Sequence, residues 1–112
     1  MEGEEMKVLS RSDEILLLSI FRLKDNAYGV TIIKGVFERT GKKLTFGSIW
    51  VSLDILHKRG YVIKRMADPT PERGGRSKIF YTLTEYGIKA LREAREFQKV
   101  LWRGIPDLSK KY

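Results

Sequence analysis

Apolar residues recur along this chain at helical spacing in four stretches and alternate in a fifth region, with turn-forming residues wherever the period changes. Ser10 or Ser12 can cap a first helix running to about Leu23, with Asp13 and Glu14 in its first turn, where the helix dipole favours acids. Its apolar residues, Ile15, Leu16, Leu18, Ile20, Phe21 and Leu23, wrap much of the surface, so this helix is expected mostly inside. Asp25-Asn26 interrupts the pattern. A second helix follows from about Ala27 to Arg39, with Val30, Ile33 and Phe37 on one stripe, Ile32 and Val36 beside it, and Gly41 placed to end it as a left-handed cap. Thr45 offers an N-cap hydroxyl to a third helix reaching about Lys58, in which Ile49, Leu53 and Leu56 fall at i, i+4 and i+7 and predict an inward stripe. The opposite side carries Gly47, Trp50, Val51, Asp54 and Lys58, and an outward Trp and Val on a solvated helix call for a partner.

Tyr61 to Ala67 and Lys78 to Leu83 are rich in β-branched and aromatic residues and predict a hairpin. Asp68 to Ser77 joins them, longer than a tight turn requires and holding two of the three prolines, so it is expected to project. Thr84 caps a long last helix from about Glu85 to Arg103, stopped by Gly104 and Pro106. Ala90, Ala94, Phe97 and Leu101 cluster on one side of it, with Ile88, Leu91 and Trp102 beside them, an apolar arc wider than one small domain needs to cover. The expected organisation is a flexible segment over 1–11, a helical domain with a hairpin over 12–83, a dimerisation helix over 84–104 and a loose basic tail over 105–112.

Helix, helix, helix, strand, long loop, strand is the order of a winged helix-turn-helix, mainly α with a small β-hairpin wing, whose third helix enters the major groove. Charge agrees with that use: 22 Lys and Arg against 14 Asp and Glu give a formal charge of +8, enough to draw in a polyanion. A chain of 112 residues supports one core, not two. The absence of cysteine removes disulfides, thiolate metal sites and cysteine nucleophiles, and the single histidine, His57, has no partners with which to complete a metal site. The acidic start, Met1-Glu2-Gly3-Glu4-Glu5, is unlike a secretory signal, and no apolar run approaches the roughly 20 residues of a membrane span, so a cytoplasmic location is expected. An enzyme is not expected. A Ser-His-Asp set would need a cleft around His57, and the stretch from Gly35 to Lys43 fails as a phosphate-binding loop, having the wrong glycine spacing and Lys43 where Ser or Thr is required.

Ala27-Tyr28-Gly29, then Glu38-Arg39-Thr40-Gly41, then Gly47 through Val62 (GSIWVSLDILHKRGYV) resemble the PadR family of transcriptional regulators, as do Asp68 to Lys78 (DPTPERGGRSK) and Tyr81-Thr82-Leu83-Thr84 after them. The match runs in order and with the right spacing over roughly residues 12 to 95. The resemblance implies a prokaryotic homodimer joined by its last helix, with paired third helices and wings reading a dyad-symmetric operator, usually to repress. It also implies that a flat aromatic effector can bind between subunits in some short members. Family members commonly have Tyr and then a small residue or Pro where this chain has Trp50 and Val51.

The expected DNA contacts follow. Thr45, Gly47, Ser48, Trp50, Val51, Asp54 and Lys58 belong to the third helix, while Lys42, Lys43, Arg73, Gly74, Arg76 and Lys78 lie at its entry and on the wing, where phosphates would pass. Asp54 can accept from a cytosine amino group, or instead repel wrong sequences, which is the favoured use. Ile88, Leu91, Ala94, Phe97, Leu101 and Trp102 form the expected dimer interface; Phe97 and Trp102 either anchor it or line a pocket for a small aromatic effector. No cofactor and no metal are expected. A winged helix serving DNA partition or architecture, without effector sensing, remains the alternative.

Overall fold

The computed structural model describes residues 8–67 and 78–110. Four helices and a two-stranded hairpin pack around one core: α1 (Arg11–Leu23), α2 (Gly29–Thr40), α3 (Phe46–Lys58), β1 (Val62–Met66), β2 (Ile79–Leu83) and α4 (Glu85–Trp102). Of the two serines able to cap α1, Ser10 does so, its hydroxyl accepting from the Asp13 N–H at 3.0 Å. A single 3₁₀ turn, Lys24–Asn26, follows, entered through Lys24 at a positive φ of 55°. Thr45 and Thr84 cap α3 and α4 with their hydroxyls, as the spacing predicts, Gly41 takes the left-handed conformation expected after α2, and Gly60 takes the same conformation shortly after α3.

The core is built from Leu16, Leu17 and Ile20 of α1, Ile32 and Val36 of α2, and the α3 stripe Ile49, Leu53 and Leu56, closed by Tyr61, Val62 and Tyr81 of the hairpin. Two elements differ from expectation. The α2 helix begins at Gly29, because Tyr28 is extended and its N–H donates to Thr31 Oγ1 at 3.0 Å, while that hydroxyl donates to the Asn26 carbonyl at 2.7 Å. Its buried line is Gly29, Ile32 and Val36, and Val30 and Phe37 lie exposed one residue, about 100°, further round. In α1 Leu17, absent from the expected apolar set, is fully buried along with Ile20, whereas Leu18 and Phe21 face out.

The strands pair antiparallel, Val62 opposite Leu83 and Met66 opposite Ile79, and the Tyr81 N–H donates to the Ala27 carbonyl at 2.8 Å, which seats the hairpin against the α1–α2 connection. An ion pair between Arg59 and Asp13 at 3.5 Å links the end of α3 to the start of α1. At the root of α4, Thr84 donates through its hydroxyl to the Gly60 carbonyl at 2.6 Å and through its N–H to the Tyr61 carbonyl at 3.0 Å. Gly87 packs so closely there that an added Cβ would collide with the Tyr61 carbonyl. The connection expected to project, 68–77, lies outside the described residues, as do 1–7 and 111–112. No helix among the described residues is long and apolar enough to cross a membrane.

Candidate nucleic-acid interface

Burial of Ile49, Leu53 and Leu56 fixes which side of α3 faces away from the protein. Gly47, Val51, Asp54 and Lys58, at i, i+4, i+7 and i+11, form its outermost line. Val51 is 61% exposed. Trp50, 41% exposed, stands to one side of that line, where its ring edge and that of Phe46 lie against Gly29 of α2. The indole is therefore bounded by α2 on one flank and open on the other. Thr45 is engaged as a cap, accepting from the Ser48 N–H at 3.2 Å.

Asp54 is held by Lys58 at 3.1 Å, and that hydrogen bond together with the Lys58 charge keeps its carboxyl below the usual carboxylate range, with Lys64 and His57 adding to the effect. A cytosine amino group would have to compete with Lys58 for this acceptor, which favours the use of Asp54 as a guard against wrong sequences.

Cations lie at the entry to α3 and on the hairpin. Lys42 and Lys43, with Ser12, Ser48 and Ser52, border a cleft of about 210 Å³ between α1 and the entry to α3. On the hairpin side, Lys78 Nζ lies 4.1 Å from the centre of the Tyr28 ring, Tyr28 meets Phe80 edge to face at 5.3 Å, and Arg65 lies 4.6 Å over Phe80. Two cations are thus set in place on aromatic faces at the base of the hairpin loop. Lys64 and Arg65 carry no signal in the sequence that points to DNA; they are neighbours on β1 and so project from opposite faces of the hairpin. Arg73, Gly74 and Arg76, expected on the wing, lie outside the described residues. His57 is half-buried, and no group of three or more His, Asp or Glu side chains among the described residues could hold a metal ion.

The apolar arc of α4 divides in two. Ala94, 7% exposed, is covered by the protein's own fold, and Leu91 packs against its core. Ile88, Leu101 and Trp102 are exposed, Phe97 is half-buried, and Val100 and Ile105, which the helical pattern did not single out, are half exposed beside them. Trp102 donates from its indole N–H to Gln98 Oε1 at 3.2 Å. An apolar groove of about 500 Å³ runs between α1 and α4 along Leu18, Phe21, Ile88 and Leu91, with Arg92 and Arg95 at its edge; neither Phe97 nor Trp102 lines it.

A family model, the transcriptional regulator PadR-like family, matches residues 17–93. No curated protein matches the sequence. Among solved structures, a Thermoplasma acidophilum protein described as a transcriptional regulator is 27% identical, with a TM-score of 0.68, over 92% of this chain and 100% of that one. RosR of H. salinarum is 22% identical, with a TM-score of 0.70, over 92% of this chain and 86% of that one. A PadR-like transcription factor from Bacteroides fragilis is 20% identical, with a TM-score of 0.70, over 80% and 82%. The last two likenesses, at these identities, establish a shared fold.

Proposed function

Since the chain belongs to the PadR-like family of transcriptional regulators, we propose that it is a repressor that binds a dyad-symmetric operator as a homodimer, in a prokaryotic cytoplasm, without catalysing a reaction. One observation carries this most directly. Lys42 and Lys43 stand at the entry to α3, Lys64 is near enough to Asp54 to act on its carboxylate, and Arg65 and Lys78 are held on the Phe80 and Tyr28 rings of the hairpin side, so phosphates of a groove entered by α3 would meet cations while α3 faces the bases. Val51 and Trp50 offer apolar surface suited to a thymine methyl, and Ser48 a hydroxyl for either a base or a phosphate.

The seam is formed by Ile88, Leu101 and Trp102 of α4, joined by Val100 and Ile105, since these carry the apolar surface that one copy leaves uncovered. Phe97 and Trp102 anchor it. A small aromatic effector would enter between the two copies, where Trp102 of each would meet the other.

Selection of duplexes from a random pool by the purified protein tests this. The expected product is a palindrome whose half-sites stand about 10 base pairs apart or a multiple of that. Recovery of sequences with no dyad, with cooperative coating of long DNA, would instead favour an architectural or partition protein.

A further inference from the structure

Seven glycines lie among the described residues, and four have a local reason to lack a side chain. Gly41, Gly60 and Gly104 have left-handed φ angles of 76°, 82° and 85°. At Gly87 an added Cβ would collide with the Tyr61 backbone, whereas at Gly29 and Gly35 it would make ordinary contacts with the Phe46 ring and the Ser19 hydroxyl inside the packed fold. Gly47 has neither reason: its φ is not left-handed, and no atom of the described structure comes within 4 Å of the place a Cβ would occupy. Within a helix, glycine is less favourable than alanine. Folding therefore supplies no reason for glycine at 47.

Its position supplies one. Gly47 lies in the first turn of α3, on the same outward line as Val51, Asp54 and Lys58. That line is bare at Gly47, short at Val51 and bulkier only towards the paired Asp54 and Lys58, while the large Trp50 ring leans aside onto Gly29. The N-terminal half of a recognition helix is the part that meets base edges.

We propose that Gly47 sets how deeply α3 enters the major groove: with no side chain at this point, the backbone of the first turn comes into van der Waals contact with the duplex, and any Cβ would hold the helix off. The proposal rests on α3 being the DNA-reading helix and adds to it a residue whose contribution is the absence of a side chain. It separates two properties that usually fall together, since filling position 47 should improve the fold and damage the binding.

The test is a pair of variants, Gly47→Ala and Gly47→Leu, followed by thermal melting and by fluorescence anisotropy on the selected operator and on random duplex. Gly47→Ala is expected to raise Tm by about 2–6 °C and to weaken operator binding about tenfold, and Gly47→Leu about a hundredfold, with smaller losses on random duplex. Lys89→Ala, on an exposed face of α4, should change neither. Unaltered operator affinity in both Gly47 variants would overturn the proposal, and so would a fall in Tm for Gly47→Ala, which would reveal a structural need for the glycine. Val51→Glu distinguishes the two levels. If it abolishes operator binding while both Gly47 variants retain it, the depth-setting role alone is wrong; if it too leaves binding intact, α3 does not enter the groove and the premise fails with the inference.

Discussion

At the level of single side chains, Asp54 shows how a fixed acid can serve a polyanion-binding surface. Its carboxylate lies 3.1 Å from Lys58 and partly neutralises the one cation on the outward line of α3. A carboxyl whose pKa is depressed in the folded protein keeps its pairing above its ordinary pKa and loses it only as pH falls through the depressed value. Binding measured between about pH 6 and 8 therefore meets the intact pair throughout. Asp54→Asn should free Lys58 for phosphate, tighten binding to random duplex and steepen the dependence of log affinity on log salt by up to about one unit. Titrations at several salt concentrations read this directly; an unchanged slope would mean that Lys58 does not reach the backbone. Trp50 belongs to the same scale. Bounded on one flank by α2, it should contribute to discrimination more than to attraction, so Trp50→Ala should narrow the affinity gap between operator and random duplex, and an equal loss on both would remove it from sequence reading.

Among the elements, α3 was the most legible from sequence and α2 the least. In α3 the inward positions Ile49, Leu53 and Leu56 are apolar and their outward counterparts Gly47, Asp54 and Lys58 are not, so period and phase are both defined. In α2 two adjacent lines compete, Val30 and Phe37 on one and Ile32 and Val36 on the other. Periodicity alone cannot rank them, and the buried line includes Gly29, which counts for nothing on a hydrophobicity pattern yet lies beside the Phe46 and Trp50 rings of α3. Packing against a distant element, which has no local signature, chose the face. Gly87 illustrates the same point at the root of α4, where it reads as a weak spot in a helix and is in fact the place where α4 meets the Tyr61 carbonyl. Gly87→Ala should cost about 2–4 kcal/mol, because the obstacle is backbone and cannot swing away. Thermal melting followed by circular dichroism should show a fall of more than about 8 °C, whereas a fall of a degree or two would mean that α4 shifts on its seat with little penalty.

For the whole molecule, the proposed dimer raises the question of which apolar surface would hold two copies together. The wide arc of α4 suggested that all of it is seam; Ala94 is buried in the protomer's own fold, and Leu91 packs partly against the core while still lining the open groove. The test must therefore fall on the far half of the helix. Val100→Glu with Leu101→Glu should give a protein that melts as a folded protomer and sediments or scatters as a monomer, with operator affinity reduced by far more than affinity for a single half-site; a persistent dimer would move the seam elsewhere. The same partition bears on how a signal could travel. Thr84 fastens the root of α4 to Gly60 and Tyr61, which follow the α3 cap residue Arg59, so the orientation of α4 and that of α3 are tied at one joint. From that joint α4 runs 18 residues, about 27 Å, to the exposed apolar end. A swing of about 10° over such a length displaces its far end by about 5 Å, more than the roughly 3.4 Å that separates successive base pairs. A ligand wedged between two copies could thus throw the paired α3 helices out of register with their half-sites while touching neither of them.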